Sequence, residues 1–265
     1  MAKRILFLEK NKLDISMTDV TITASQGEDF VDFMRNRSNT SAWVTSGSVD
    51  ADNTNFVVDF VNSVDLDFIS LVKMNFKNYT VQYWNGSIYT DFSTAISVSN
   101  NTSETKYHEF TSVTTTKIKV IITGTMTANE DKYLFQLIAT EAVGRLNGWP
   151  VIKKPTLSRD KIKTKMLSGK LAIKEQIGAF SVDLEIKILS DSDDLDTIEA
   201  LYDTNDGFLV WLCGGDETQF SSIRKGYRLE DFYLMKCADE YQPEFYKGVY
   251  SAGIATKVSL IEVVD

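Results

Sequence analysis

Histidine is nearly missing from this chain: among 265 residues the only one is His108. A Ser-His-Asp or Cys-His centre would have to use it. It stands between Tyr107 and Glu109 in a strand-like stretch, and the chain has no nucleophile elbow, so acyl-transfer chemistry is not expected. Cysteine is as scarce. Cys213 and Cys237 form no CxxC and have no histidine beside them, which argues against zinc. They read as two buried thiols, with one bridge between them as the alternative. Proline occurs only at 150, 155 and 243, so there is no Pro-rich linker.

Long apolar runs are absent too. Nothing approaches the roughly 20 residues of a membrane span. The apolar start, Ile5 to Leu8, is shorter than the roughly 7–15 residues of a signal-peptide core. The expectation is a soluble chain made without an export signal. Triplets such as Asn78-Tyr79-Thr80 and Asn85-Gly86-Ser87 then read as turn chemistry. An excess of positive charge is also lacking. The net charge is −9, with 13 basic and 17 acidic residues before Pro150 and 15 and 20 from there on, so each part is acidic. Nucleic-acid affinity rests on neutralising phosphates, so DNA and RNA are not expected partners.

What the chain does hold is β pattern. Phe56 to Phe60, Asp67 to Val72 and Tyr79 to Trp84 follow one another closely, and the last is closed by Asn85-Gly86. Alternating β-branched and aromatic residues between turn residues are the mark of strands and hairpins. Shorter strands are read at 3–10, 17–25, 88–98 and 107–110, and stronger ones at Thr116 to Thr123 and Tyr133 to Thr140. Phe30, Phe33 and Met34 suggest one or two helical turns in 28–37. No helical pattern of 10–12 residues appears before residue 145. The expectation is a mainly β protein whose first part is a β-sandwich.

Gly144, Gly148 and Pro150 break the pattern. The boundaries read from it are 1–145 for a first domain, 146–169 for a basic connector leading into an edge strand, and 170–265 for a second domain. In the second domain Phe180 to Leu189 alternates as a long half-buried strand. A helix is read over about 193–203, with Asp193, Asp194 and Asp196 suiting its positive N-terminal end. Phe208 to Cys213 reads as a strand buried on both faces, Gly214-Gly215-Asp216 as a hairpin turn, and Tyr227 to Cys237 and Thr256 to Val263 as further strands. The second domain is thus expected as a β-sandwich or barrel-like domain with one short helix.

Ile22-Thr23-Ala24-Ser25, Ser41 to Ser46 around Trp43, Phe56 to Phe60, Tyr79 to Gly86 and Lys117 to Ile122 occur in that order. Over roughly residues 15–142 they resemble the discoidin family, the galactose-binding-like jelly roll also found in coagulation-factor C-type domains. The terminal cysteines that staple extracellular members are absent. The order of elements in the second domain resembles phage tail-tube and distal-tail proteins, a likeness at the level of fold alone. Together the two resemblances imply a non-enzymatic tail or baseplate component of a phage or related injection machine, assembled in the host cytoplasm. Its implied partners are other tail proteins and further copies of itself, arranged as a ring. A carbohydrate-binding adhesion module for a cell-surface glycan is the alternative.

Two groups of candidate site residues follow. Trp43, Tyr83, Trp84 and Tyr89 could form an aromatic platform for sugar, or anchor a subunit interface. The alternative is that Trp43 and one of Tyr83 and Trp84 are core, since neighbouring residues in a strand face opposite ways; the other of that pair then points outward, and an interface is its expected place. Asp50, Asp52 and Asn53 offer hard oxygen ligands on a loop, which suits a structural calcium ion without an EF-hand pattern. Among the other acidic pairs, Asp65 and Asp67 read as turn residues. No other cofactor is expected.

Overall fold

A computed structural model describes residues 5–36, 40–47, 52–147, 151–165, 171–188, 193–204, 207–212, 232–247 and 252–263. In chain order the strands are β1 (Leu6–Leu8), β2 (Val20–Ala24), β3 (Trp43–Val44), β4 (Thr54–Met74) and β5 (Phe76–Trp84). Then come β6 (Tyr89–Val98), β7 (Lys106–Thr125), β8 (Tyr133–Thr140), β9 (Ala142–Arg145) and β10 (Val151–Lys165). After β11 (Leu171–Ile188) the helix α1 (Asp193–Asp203) precedes β12 (Phe208–Trp211), β13 (Phe232–Cys237), β14 (Glu244–Lys247) and β15 (Ala252–Glu262). A 3-10 helix, Glu28–Arg35, covers the stretch where helical turns were expected. The chain is mainly β, and its strand pairs are antiparallel.

The chain divides into two compact units, Asn11–Glu141 and Met1–Lys10 with Ala142–Asp265. This differs from the expected boundaries at 145 and 170. β1 pairs with β9 and β12, so the start of the chain belongs with its second half. A strand's own pattern does not name its partner. The expected connector 146–169 also differs, because β10 fills most of it as the edge strand of a sheet.

The unit Asn11–Glu141 is a β-sandwich made by two strands that turn a corner. Over Thr54–Phe60, β4 lies between β2 and the second half of β7, and β5 and β6 continue that layer. From Phe68 onward β4 lies between β8 and the first half of β7, and β3 extends that layer. At the corner the register slips between Asp59 and Val64, and Val61 is exposed, the bend that a β-bulge produces. The sequence suggested two strands here with Asp65 and Asp67 in a turn. Instead both acids lie within one continuous strand, and Asp65 accepts a hydrogen bond from Thr114 of β7.

Alternation fills the space between the layers. Phe56, Val58, Ile118, Val120, Tyr79 and Val81 come from one layer, and Ile69, Leu71, Leu134, Leu137 and Trp43 from the other. The Trp43 ring stands edge-on to Phe56 at 5.4 Å and to Phe76 at 6.3 Å, joining the two sides.

In the other unit the described residues form one eight-stranded sheet in the order β10-β11-β15-β13-β12-β1-β9, with β14 also paired to β15. β12 is buried along its whole length, as its unbroken apolar run implied. Helix α1 keeps the predicted range and packs on β9 and β13. It comes so close to β9 that a Cβ on Gly144 would lie 2.3 Å from Thr197 Oγ1 and 2.7 Å from its Cγ2. Gly144→Ala must therefore push the helix off the sheet, at about 1–3 kcal/mol. Thermal unfolding should show the transition of this unit lowered, and an unchanged transition would show that α1 is not held against β9.

Candidate functional site

The hairpin of β5 and β6 builds the site. Val81, like Tyr79, is buried inward on β5, and Tyr83 keeps that phase, its ring 5.0 Å from Phe92 and packed on the core. Gln82 and Trp84 therefore face outward, both half-buried. The turn fixes what stands opposite them. Asn85 Oδ1 accepts hydrogen bonds from the Ser87 and Ile88 N–H groups, each at 3.0 Å, and Asn85 N–H donates to the Ile88 carbonyl at 3.1 Å. Gly86 at φ 98° supplies the left-handed step. In this register Trp84 faces Tyr89 and Gln82 faces Asp91. Directly opposed residues in an antiparallel pair share a face.

An aromatic and polar surface results. The Trp84 and Tyr89 rings meet edge to face, 5.2 Å apart at 66°. Gln82 Nε2 donates to Asp91 Oδ1 at 3.1 Å. Lys119 of β7 stands opposite Gln82 and holds its Nζ 5.4 Å from the Tyr89 ring centroid. Lys117 pairs with Asp59 at 2.5 Å on the same face. That bond and the Asp59 charge hold the Lys117 ammonium above the usual lysine range. Thr115 Oγ1 donates to the Trp84 carbonyl at 2.8 Å and fixes the strand end. Ile88 at the turn is exposed. Such a surface offers flat apolar rings beside an amide, a carboxylate and an ammonium. These are the groups that a polyhydroxylated ligand with one apolar face can use.

The four aromatic candidates do not form one platform. Trp43 is wholly buried between the layers, its Nε1 donating to the Gln26 carbonyl at 3.1 Å. Tyr83 points into the core. Only Trp84 and Tyr89 come together on the surface. Of the calcium candidates, Asp50 lies outside the described residues, Asp52 is half-buried and Asn53 is exposed. Among the described residues no group of three or more His, Cys, Asp or Glu side chains gathers as a metal site. Cys213 and Gly214-Gly215-Asp216 also lie outside the described residues. Cys237 is a free thiol, pushed up to about 11 chiefly by burial, and so is a poor nucleophile. His108 is paired with the Tyr79 hydroxyl at 2.9 Å, away from any nucleophile arrangement.

Sequence reasoning missed Gln82, Asp91 and Lys119. Gln82 was within reach, two residues before Trp84 on the same strand face. Asp91 and Lys119 depend on cross-strand register. For Asp91 the Asn85-Gly86 turn supplies a signal, whereas nothing local supplies one for Lys119.

No family model matches the chain, and no curated protein matches it. Among solved structures it is similar to chitosan-binding module 1 of a chitosanase/glucanase from Paenibacillus sp. IK-5, at 20% identity and TM-score 0.41 over 49% of this chain and 98% of that one. It is similar to the CpGH89CBM32-5 module from Clostridium perfringens, in complex with GalNAc-beta-1,3-galactose, at 15% identity and TM-score 0.38 over 46% of this chain and 95% of that one. It is also similar to a Ruminococcus gnavus GH29 fucosidase in complex with fucose, at 15% identity and TM-score 0.42 over 50% of this chain. That match spans 27% of the fucosidase, a small part of its length.

Proposed function

We propose that the sandwich unit is a non-catalytic carbohydrate-binding module of the discoidin-like kind, used in adhesion to a cell-surface glycan. The observation that carries this reading is the outward Trp84–Tyr89 pair with Gln82, Asp91 and Lys119 around it. One face of a pyranose ring is lined by C–H groups and its rim by hydroxyls. The C–H face lies on the aromatic rings, while the rim hydroxyls donate to Asp91 and accept from Gln82 and Lys119. The turn and the Thr115 bond hold the platform before the sugar arrives, which limits the ordering cost of binding. A glycan array followed by calorimetry tests it. Saturable binding is expected, weakened about tenfold or more by Trp84→Ala and by Tyr89→Ala with the fold retained. Binding untouched by both substitutions would reject this face as the site.

A second reading, a structural subunit of a phage tail or baseplate, has no support from the similar structures, and it would need an element built for assembly. The β10–β11 hairpin runs well beyond the sheet that carries it. Co-sedimentation of the chain with tail particles would support that reading, and its consistent absence from them would remove it.

A further inference from the structure

The β10–β11 hairpin pairs from Val151↔Glu185 to Lys165↔Leu171. β15 pairs with β11 only from Ser181 to Ile188. Among the described residues, then, the ten residues 171–180 of β11 have β10 as their sole neighbour strand. Among the described residues no strand pairs with either edge of this two-stranded arm, and a lone hairpin of this kind is marginal in water. Its sequence is strongly basic. Arg159, Lys161, Lys163 and Lys165 lie on β10, with Asp160 the one acid of that strand. Four basic residues within seven positions of one strand oppose its pairing with a like arm, so the sequence of the arm suits an acidic surface instead.

This unit carries one. A cleft of about 630 Å³ is lined by Glu185, Asp239, Glu240, Glu244, Thr256 and Lys257. Glu185 is paired with Lys153, and Lys257 with Asp183 at 3.1 Å. Among the described residues no ion pair involves Asp239, Glu240 or Glu244, three acids that line the same cleft. Thr256 adds an independent sign of a missing partner. It is 5% exposed, and its Oγ1 is buried without a hydrogen bond. A buried hydroxyl left unpaired costs free energy that an incoming polar group can recover.

We propose that the basic arm of one copy of this chain docks in the acidic cleft of a second copy. An arm cannot enter its own cleft. β11 lines the cleft at Glu185 and runs from there in the opposite direction to reach its tip near Leu171. Over those 14 residues, at about 3.3 Å each, the tip lies roughly 45 Å away along a paired strand. The contact therefore joins two different patches, head to tail. Such contacts propagate into a closed ring or an open filament. The inference deepens the assembly reading by naming its surfaces and is independent of what the Trp84–Tyr89 face binds. Because it concerns purified protein, it can fail or succeed separately from any co-sedimentation with particles.

Sedimentation velocity of the full chain tests it. Association is expected to grow with concentration up to about 100 µM at about 50 mM salt, and to weaken at least about tenfold at about 500 mM. A cleft reversal (Asp239→Lys, Glu240→Lys, Glu244→Lys) and an arm reversal (Lys161→Glu, Lys163→Glu) should each give monomers with wild-type circular dichroism. Mixed in equal amounts, they should associate again, because each then offers what the other lacks. If the reversed cleft does not fold, Asp239→Asn with Glu240→Gln and Glu244→Gln should still weaken association. A wild-type chain that stays monomeric throughout, association unchanged by cleft neutralisation, or a mixture that stays monomeric would each overturn the proposal.

Discussion

Trp43→Ala should cost the sandwich unit about 4 kcal/mol, enough to lower its unfolding temperature by about 10 °C or more. The indole is wholly buried and reaches from its own layer to the facing one, edge-on to Phe56 and Phe76. Its removal takes away the transfer energy of the largest side chain in that core and leaves a void that strands from both layers must close around. It also leaves the Gln26 carbonyl without the 3.1 Å bond from Nε1. Gly27 leaves no room for an alternative arrangement. Its φ is 70°, and a Cβ there would sit 2.9 Å from Nε1 and 2.3 Å from the Val44 carbonyl oxygen. Trp43→Phe keeps part of the ring and should lose about 1–2 kcal/mol, mainly the N–H bond and the unfilled volume. Calorimetric unfolding of both variants checks this. A tryptophan serving as a surface platform would give the opposite result, lost glycan binding with little change in stability, so the pair of measurements separates Trp43 from Trp84.

The same contrast marks what could be read from the residues alone. The β5–β6 hairpin was legible because the Asn85-Gly86 turn and the alternation on both sides agree. Helix α1 was legible from its apolar stripe and acidic first turn, and β12 from its unbroken apolar run. The phase of β5 could in principle be read too: Tyr79, Val81 and Tyr83 form one set, and the apolar Val81 makes it the inner one. Trp43 offered no such clue, because β3 is two residues long and two residues define no period. The corner in β4 looked like a turn, since Asp65 and Asp67 between two apolar runs read as turn residues. The strand continues there because β7 bends with it, a fact held in the register of a strand some 50 residues later. The place of β1 depends in the same way on β12, about 200 residues downstream. The outward face at Gln82, Asp91 and Lys119 joins three strands. Local pattern reaches the first two through the hairpin and stops before the third.

Between about pH 7 and pH 4 the sandwich unit should lose about 3 kcal/mol of stability through His108 alone. Burial holds the imidazole neutral, and the nearby Lys106 charge adds to this, bringing its pKa down to about 4 from the usual 6.5. The ring lies against Tyr79, which is 1% exposed and whose own hydroxyl is pushed well above the usual range by burial. In the unfolded chain His108 binds its proton near pH 6.5, and in the folded unit only near pH 4. Over that window the unfolded state holds more protons, so stability falls as pH falls. The contribution is complete above about 6.5 and exhausted below about 4, and its ceiling is about 3 kcal/mol, from 1.36 kcal/mol per pH unit between those two values. Carboxylates titrate at the lower end of the same range, so the comparison that isolates the histidine is with His108→Gln. Glutamine retains a polar partner for the Tyr79 hydroxyl at 2.9 Å and carries no titrating group. Urea unfolding of both proteins at a series of pH values should give a steeper acid loss for the wild type, with the two curves separating by about 3 kcal/mol across the window. Parallel curves would mean that His108 titrates normally in the folded unit and that the Tyr79 contact is open to water.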